Sequence, residues 1–275
     1  CYNYENLIKD KFLKLKEKLN KFKIKYEIIY INDGSLDKTL KKIKEIKKKN
    51  KNISFINNTI NLGKSSSLIK GINKSKYNNI IIYDCDLPYF DYLEKVIYHL
   101  KKFDFVYINR KSAKSKLNSR SLNFYQISRF IIGKLMCLFI NLFCLNLSVG
   151  DTQAGLKAFK KPKKFKDIKF LSSKFFFDAE LMIIFFNLKK KMKYIPVKYE
   201  VPKDSTIKIF EIKNFNYIYE ILKIVIMYKF LNFNKFKNLF WKSNNWYFNL
   251  FLILTFLMDK AKYLSRIHYF FSIYK

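Results

Sequence analysis

The sequence predicts an α/β domain with a mostly parallel sheet flanked by helices, and three observations predict it. Short apolar runs alternate with longer amphipathic segments from residue 4 to about residue 200. That alternation is the signature of βαβ units joined by right-handed crossovers. Hydrophobic residues make up 49% of the 275, enough for a large core and too many for a disordered chain. One apolar run, Ile80-Ile81-Ile82-Tyr83, ends in Asp84-Cys85-Asp86. It places carboxylates at the carboxyl end of a strand, where open α/β sheets bind their ligands.

The elements follow in order. Residues 4–20 read as a Lys-rich helix and 26–32 as a strand that ends at Asp33-Gly34-Ser35. Ser35 is placed to cap a helix over 36–49. A short strand over 53–57 leads to the turn Asn61-Leu62-Gly63-Lys64 and a helix over 64–75. Residues 80–83 form the strand that delivers Asp84 and Asp86, and Pro88 breaks the chain before a helix near 91–102. The strand over 104–109 ends at Arg110. A long helix over 119–147 follows, nearly apolar from 130 to 149 except for Lys134 and Asn141. It approaches the length needed to span a bilayer, but the charge and the amide favour a helix in the membrane interface or packed on the sheet. A loop from Asp151 feeds a strand, residues 175–182 open a helix, and 194–200 form the last strand. Beyond 210 the chain reads as helical and aromatic. Its apolar stretch 246–258 is too short to span, and Lys260, Lys262 and Arg266 follow it, as suits an interfacial anchor. The expected organisation is a domain over 1–210 and a helical, membrane-associated segment over 211–275.

Composition narrows the function classes. The formal net charge is +34, which invites a nucleic-acid reading. The excess is nearly all Lys and runs from end to end, so no basic patch is concentrated for nucleic acid, and none is expected as a partner. The charge still favours anionic membrane surfaces. In so Lys-rich a chain, Arg110, Arg120 and Arg129 stand out as donors suited to phosphate oxygens. The four cysteines, Cys1, Cys85, Cys137 and Cys144, form no CxxC pair and have no neighbouring His. Neither zinc nor a disulfide framework is expected, as in a reducing compartment. His99 and His268 are too far apart in sequence to suggest a Ser-His-Asp arrangement. No signal peptide is visible.

Two carboxylates one residue apart, Asp84 and Asp86, suit a hard cation such as Mg²⁺ or Mn²⁺ shared with substrate phosphates. Set beside the other motifs, they carry a resemblance. Cys1-Tyr2-Asn3-Tyr4-Glu5-Asn6, Asn32-Asp33-Gly34-Ser35-Leu36-Asp37, Asn61-Leu62-Gly63-Lys64, Asp84-Cys85-Asp86 and Asp151-Thr152-Gln153-Ala154-Gly155 occur in the chain in that order. Order and spacing resemble inverting family-two glycosyltransferases of GT-A fold. The stretches around Leu156-Lys157-Ala158-Phe159 and Phe177-Asp178-Ala179-Glu180-Leu181 look closest to the dolichyl- and polyprenyl-phosphate sugar transferases. The resemblance covers about residues 1–205.

It implies transfer of a sugar from a nucleotide-sugar donor to a polyprenyl phosphate, metal-dependent and with inversion, at the cytoplasmic face of a membrane. Asn32, Asp33, Gly34, Lys64 and Asp84 would bind the donor. Asp84 and Asp86 would hold the metal. Arg110, Arg120, Arg129 and Gln153 would hold phosphates or the acceptor, with Lys157 lining the same side. A lipid phosphate can attack directly, whereas a sugar hydroxyl on a cell-surface glycan, the alternative acceptor, needs a base. Asp151, or Asp178 with Glu180, are the candidates for that base. Members of the family begin with an apolar strand ending in Pro ahead of the position of Cys1. That first strand is expected to be missing here, which would leave a hole in the sheet. A nucleic-acid-binding protein and an inactive relative remain as readings from other classes.

Overall fold

The computed structural model describes residues 1–118, 124–172, 175–200 and 215–230. The chain divides into two compact units, Cys1–Ile224 and Val225–Lys275, and the first carries everything below. Its helices are α1 (Ile8–Lys21), α2 (Thr39–Lys48), α3 (Lys64–Lys74), α4 (Leu93–Leu100), α5 (Phe124–Cys144), α6 (Phe177–Asn187) and α7 (Phe215–Val225), which ends at the boundary. Its strands are β1 (Ile28–Asp33), β2 (Ile53–Asn58), β3 (Asn79–Tyr83), β4 (Phe105–Ile108), β5 (Lys116–Leu117), β6 (Leu156–Lys160), β7 (Met192–Ile195) and β8 (Lys198–Tyr199).

β1 and β2 pair in parallel, Ile28 with Ile53 through Asp33 with Asn58. A second sheet runs β3-β6-β4-β7, and β5 pairs with β8. Three of its four strands run the same way, as expected of a mostly parallel sheet, and one does not. β6 lies between β3 and β4 and is antiparallel to both, while β4 and β7 are parallel. The reason lies in the connection. After β4 the chain passes through α5 and enters β6 from the carboxyl ends of its neighbours. The antiparallel insertion brings the start of β6 to the edge where β3 and β4 deliver Asp84 and Arg110.

The sheet buries both faces. On one side Val106, Ile108, Leu156 and Ala158 pack on Leu93, Val96 and Leu100 of α4. On the other, the rings of Phe105 and Phe159 stack 6.0 Å apart and both meet Phe185 of α6, at 4.9 and 5.4 Å. Nearly every residue of α6 is buried, as its continuous apolar sequence requires. A second core joins Ile8 and Phe12 of α1 to Ile43, Ile46 and Ile53.

β1 and β3 belong to separate sheets, and Ile28-Ile29-Tyr30-Ile31 and Ile80-Ile81-Ile82-Tyr83 both line one cavity of about 2310 Å³. Cys1 already pairs with β1: its nitrogen donates to the Ile31 carbonyl at 2.7 Å, and Asp33 N–H donates back to the Cys1 carbonyl at 2.9 Å.

Two local expectations are corrected. Ser35 does not cap α2; its hydroxyl accepts from the Asn3 N–H, and Asp37 receives the Thr39 N–H instead. Cys1 and Cys85 form a disulfide, Cα atoms 6.0 Å apart, an ordinary bridging separation. The partners are 84 residues apart and meet only because Cys1 runs beside β1, so no local spacing could reveal them. The inference from unpaired cysteines to a reducing compartment therefore loses its basis, although Cys137 and Cys144 are buried and in no disulfide.

Candidate functional site

The cavity between β1 and β3 continues past the carboxyl ends of both strands, where the candidate residues gather. Asp33, Lys64, Asp84, Asp86, Arg110 and Gln153 all line it. Asp33, Asp84, Asp86 and Arg110 come from strand ends or the turns beyond them, Lys64 opens α3 and Gln153 lies in the loop that leads into β6.

Asp33 ends β1 and is nearly buried. Its carboxylate accepts from Asn58 Nδ2 at 2.8 Å, from Leu62 N–H at 2.9 Å and from Gly63 N–H at 3.0 Å. It thereby fixes the turn that launches α3 and presents Lys64. Asn32 donates to Asn57 at 2.7 Å, while its own side-chain oxygen is buried without a partner. Gly34, at φ +69°, passes so close to Ile60 that a Cβ would lie 2.4 Å from its carbonyl carbon; no side chain fits there.

Lys64 bridges two acids, its Nζ 3.0 Å from Asp84 Oδ1 and 2.9 Å from Asp178 Oδ2. Burial alone would lower its pKa, and the two carboxylates, Asp178 first, outweigh that and push it up. Asp84 also donates its N–H to the Gly155 carbonyl at 3.0 Å. A Cβ on Gly155 would sit 2.4 Å from Asp84 Oδ2 and 2.9 Å from Pro88. Glycine there leaves the carboxylate its place. Burial, reinforced by the Asp84 carboxylate, raises the Asp86 carboxyl, an acid pair that a cation would relieve. Among the described residues no group of three His, Cys, Asp or Glu side chains could hold a metal. The protein thus offers two carboxylates, which suits a cation that takes its remaining ligands from phosphate and water.

Across the cavity, Arg110 holds Asp151 through a two-point contact, Nε to Oδ2 at 2.5 Å and Nη2 to Oδ1 at 2.9 Å. Burial would raise the Asp151 carboxyl, but Arg110 outweighs it and holds it well below the usual carboxylate range. A carboxylate so held is a weak proton acceptor; the geometry gives it the task of aiming Arg110. Gln153 donates its N–H to Asp151 Oδ1 at 3.1 Å, and its buried side-chain NH₂ has no partner. Such an orphan donor facing a cavity is suited to a ligand oxygen.

The two acids of α6 separate in role. Asp178 is 1% exposed, between Lys64 and Lys157. Glu180 is fully buried and accepts the N–H groups of Leu171 and Ser172, both at 2.7 Å; it fastens a loop. Arg120 and the 246–258 stretch lie outside the described residues, and Arg129 is carried on α5. Sequence reasoning placed Lys157 on the acceptor side, but the structure buries it completely beneath the Asp151–Gly155 loop, its ammonium donating to the Ala154 carbonyl at 2.5 Å. Its one visible signal is a Lys inside the apolar strand Leu156-Lys157-Ala158-Phe159. Tyr89, packed beside Arg110, carried no signal at all.

The model of glycosyl transferase family 2 matches residues 1–162. The chain belongs to this family. It is 28% identical over 194 residues to a dolichyl-phosphate β-glucosyltransferase, ALG5D, of Trichomonas vaginalis, covering 67% of this chain and 57% of that protein. It is 39% identical over 113 residues to an uncharacterized glycosyltransferase of Synechocystis, covering 40% of this chain and 36% of that one. The chain thus spans about a third to just over half of the length of these relatives. Among solved structures, it superposes with a TM-score of 0.57 at 14% identity on glucosyl-3-phosphoglycerate synthase from Mycobacterium tuberculosis, in complex with Mn²⁺, UDP and phosphoglyceric acid, over 82% of this chain and 76% of that one. TarS of S. aureus with UDP-GlcNAc follows with a TM-score of 0.53 at 14% identity, over 84% of this chain and 66% of that one. These likenesses show a GT-A glycosyltransferase fold with a mixed sheet.

Proposed function

We propose that this glycosyltransferase moves a hexosyl group from a nucleoside-diphosphate sugar to a polyprenyl phosphate at a membrane surface, with inversion, using Mg²⁺ or Mn²⁺ at Asp84 and Asp86. The observation that carries the reading is the convergence of Asp84, Asp86, Lys64 and Arg110 on one cavity whose far lip is the apolar helix α5 (Phe130, Ile132 and Met136). The relatives fit it: a dolichyl-phosphate glucosyltransferase by sequence, and UDP or UDP-GlcNAc complexes by fold.

The chemistry follows from the charges. Asp33 and the turn it fastens would shape the nucleotide end. Lys64, with a third ammonium hydrogen left after its two acids, would meet a diphosphate oxygen. The cation, when bound, neutralises charge that develops on the departing diphosphate. Arg110, aimed by Asp151, and the orphan amide of Gln153 would hold the acceptor phosphate. A phosphate oxygen then forms the bond to the anomeric carbon while that carbon's bond to the diphosphate breaks on the opposite face. The acceptor is already an anion, so no general base is needed. That agrees with Asp151, Asp178 and Glu180 all being committed to other groups.

Residues 211–275 would serve as a membrane-interface segment, and the nucleotide-bearing, cytoplasmic face would be the side of action. The gap between β1 and β3 would be filled by one further strand in the register that Cys1 begins. The test is transfer of radiolabelled sugar from UDP-glucose and other common donors to polyprenyl phosphate in detergent, with and without Mn²⁺. Labelled lipid is expected, lost by at least about 100-fold in Asp86→Asn. Transfer to glycan hydroxyls but not to lipid phosphate would select the other acceptor. Undiminished turnover by the Asp86 variant would remove the cation from the proposal.

A further inference from the structure

Below the site lies a closed circuit of charge and hydrogen bonds whose inner pair, Asp178 and Lys157, has no role in the proposed reaction. Asp84 N–H donates to the Gly155 carbonyl, and Asp84 Oδ1 meets Lys64 at 3.0 Å. Lys64 meets Asp178 at 2.9 Å, Asp178 meets Lys157 at 3.1 Å, and Lys157 donates to Ala154, the residue before Gly155. The circuit links the turn after β3, the start of α3, the start of α6 and the loop before β6. Two ammoniums balance two carboxylates. The inner pair is almost wholly enclosed, Lys157 at 0% and Asp178 at 1% exposure. Neither Asp178 oxygen has a well-aligned hydrogen bond, so the two ammoniums are what hold this carboxylate in place. A fully buried ion pair is costly to assemble and adds little stability over an apolar pair of the same volume. Its placement between the candidate donor residues and the candidate acceptor loop is what gives it a use.

We propose that Asp178, held by Lys157, is a positioning residue that aims Lys64 at the donor diphosphate, fixes Asp84 beside Asp86, and ties both to the Asp151–Gly155 loop. This rests on the donor site proposed above. Asp178 can act only through other groups. Its oxygens face Lys64 and Lys157, and both ammoniums lie within ion-pair distance. The carboxylate is held below its usual range because these ammoniums, Lys157 first, outweigh the effect of burial. A proton acceptor for a sugar hydroxyl would need the opposite setting.

The two roles separate in a double substitution. Asp178→Asn leaves Lys157 as an unpaired buried ammonium, and the cluster carries one excess positive charge. In Lys157→Met with Asp178→Asn that charge is gone, and the Asn oxygen still accepts from Lys64. The affinity for UDP with Mn²⁺, by calorimetry on the intact protein, reads the donor site without any acceptor. Asp178→Asn is expected to weaken it about 10- to 100-fold, with a larger effect on donor KM than on kcat. The double variant is expected to return to within about three-fold of wild type and to melt close to it. If Asp178→Asn does not fold, the double variant decides alone. A double variant that stays as inactive as the single one, that loses kcat with donor affinity intact, or that fails to fold overturns the proposal. So does a folded Asp178→Asn with wild-type affinity. Wild-type protein that binds no UDP with Mn²⁺ overturns the donor site itself, a result distinct from failure of the variants alone.

Discussion

At the scale of single residues, the pair of Arg110 and Asp151 shows how the site is built. Arg110 sits at the end of β4, Asp151 at the entrance to β6, and their two-point contact closes the edge that the antiparallel insertion creates. Asp151 has no exposed surface. Removing its charge with Asp151→Asn leaves the partly exposed Arg110 without its counterion, expected to cost about 1.5–3 kcal/mol at pH 7. The pH dependence follows from the direction of the shift. Asp151 is held below its usual range by Arg110 against the opposing effect of burial. Its contribution is complete above the unfolded value, near 4, and fades as pH falls towards the folded one. The stability gap between wild type and variant should narrow by about 1 kcal/mol between pH 7 and pH 3 in urea melts. A constant gap would show that the pair does not set it. The residues legible from sequence here, Asp33, Asp84, Asp86, Arg110 and Asp151, all sit at strand ends next to turn-forming motifs. Lys157 was misplaced because β6 is covered on both faces, and that is visible only once the strand has neighbours on both sides.

At the scale of elements, the order of helices and strands was readable because each apolar run was short and punctuated, as Asn61-Leu62-Gly63 before α3 illustrates. The direction of β6 was not, since nothing in Leu156-Lys157-Ala158-Phe159 records the end from which it enters the sheet. α5 lies between these cases. Its length and apolar character were plain, and by length and composition it could cross a membrane, but its two faces differ in a way periodicity alone did not assign. One face carries Cys137, Ile140 and Cys144 inward, and Asn141 clamps the following turn by accepting from Val149 and Gly150 N–H and donating to the Gly150 carbonyl. The other exposes Phe124, Ile127, Ile131, Leu135, Leu138 and Leu142, spaced by three or four so that they form one stripe. A helix clamped along one side and bare along the other is suited to lying on a bilayer surface. Leu135→Glu with Leu138→Glu should weaken binding to lipid vesicles by more than about ten-fold, since each buried Leu contributes about 1.5–3 kcal/mol. The melting temperature should stay within a few degrees of wild type, because both side chains already face solvent. Unchanged vesicle binding would mean the stripe meets something other than lipid.

At the scale of the whole molecule, the charge of +34 and the apolar stripe of α5 are separable contributions to the same proposed surface. Lys residues run through almost every element, so the charge acts as a broad field and not as a site. A basic group near an anionic bilayer contributes about 1 kcal/mol, and this fades within a Debye length, about 10 Å at 0.1 M salt and about 3 Å at 1 M. Apolar insertion has no comparable salt dependence. Co-sedimentation with vesicles containing acidic phospholipid should therefore be strong at 0.1 M salt and drop by an order of magnitude or more at 1 M. The residue that survives at high salt should be the part removed by the two α5 substitutions. On neutral phosphatidylcholine vesicles, wild type at 0.1 M salt should already look like wild type at 1 M on acidic ones. Equal binding to neutral and acidic vesicles at low salt would show that the excess of Lys does not draw this protein to a membrane. The field would then matter only near the cavity, where Lys64 and Arg110 meet the charge of the substrates.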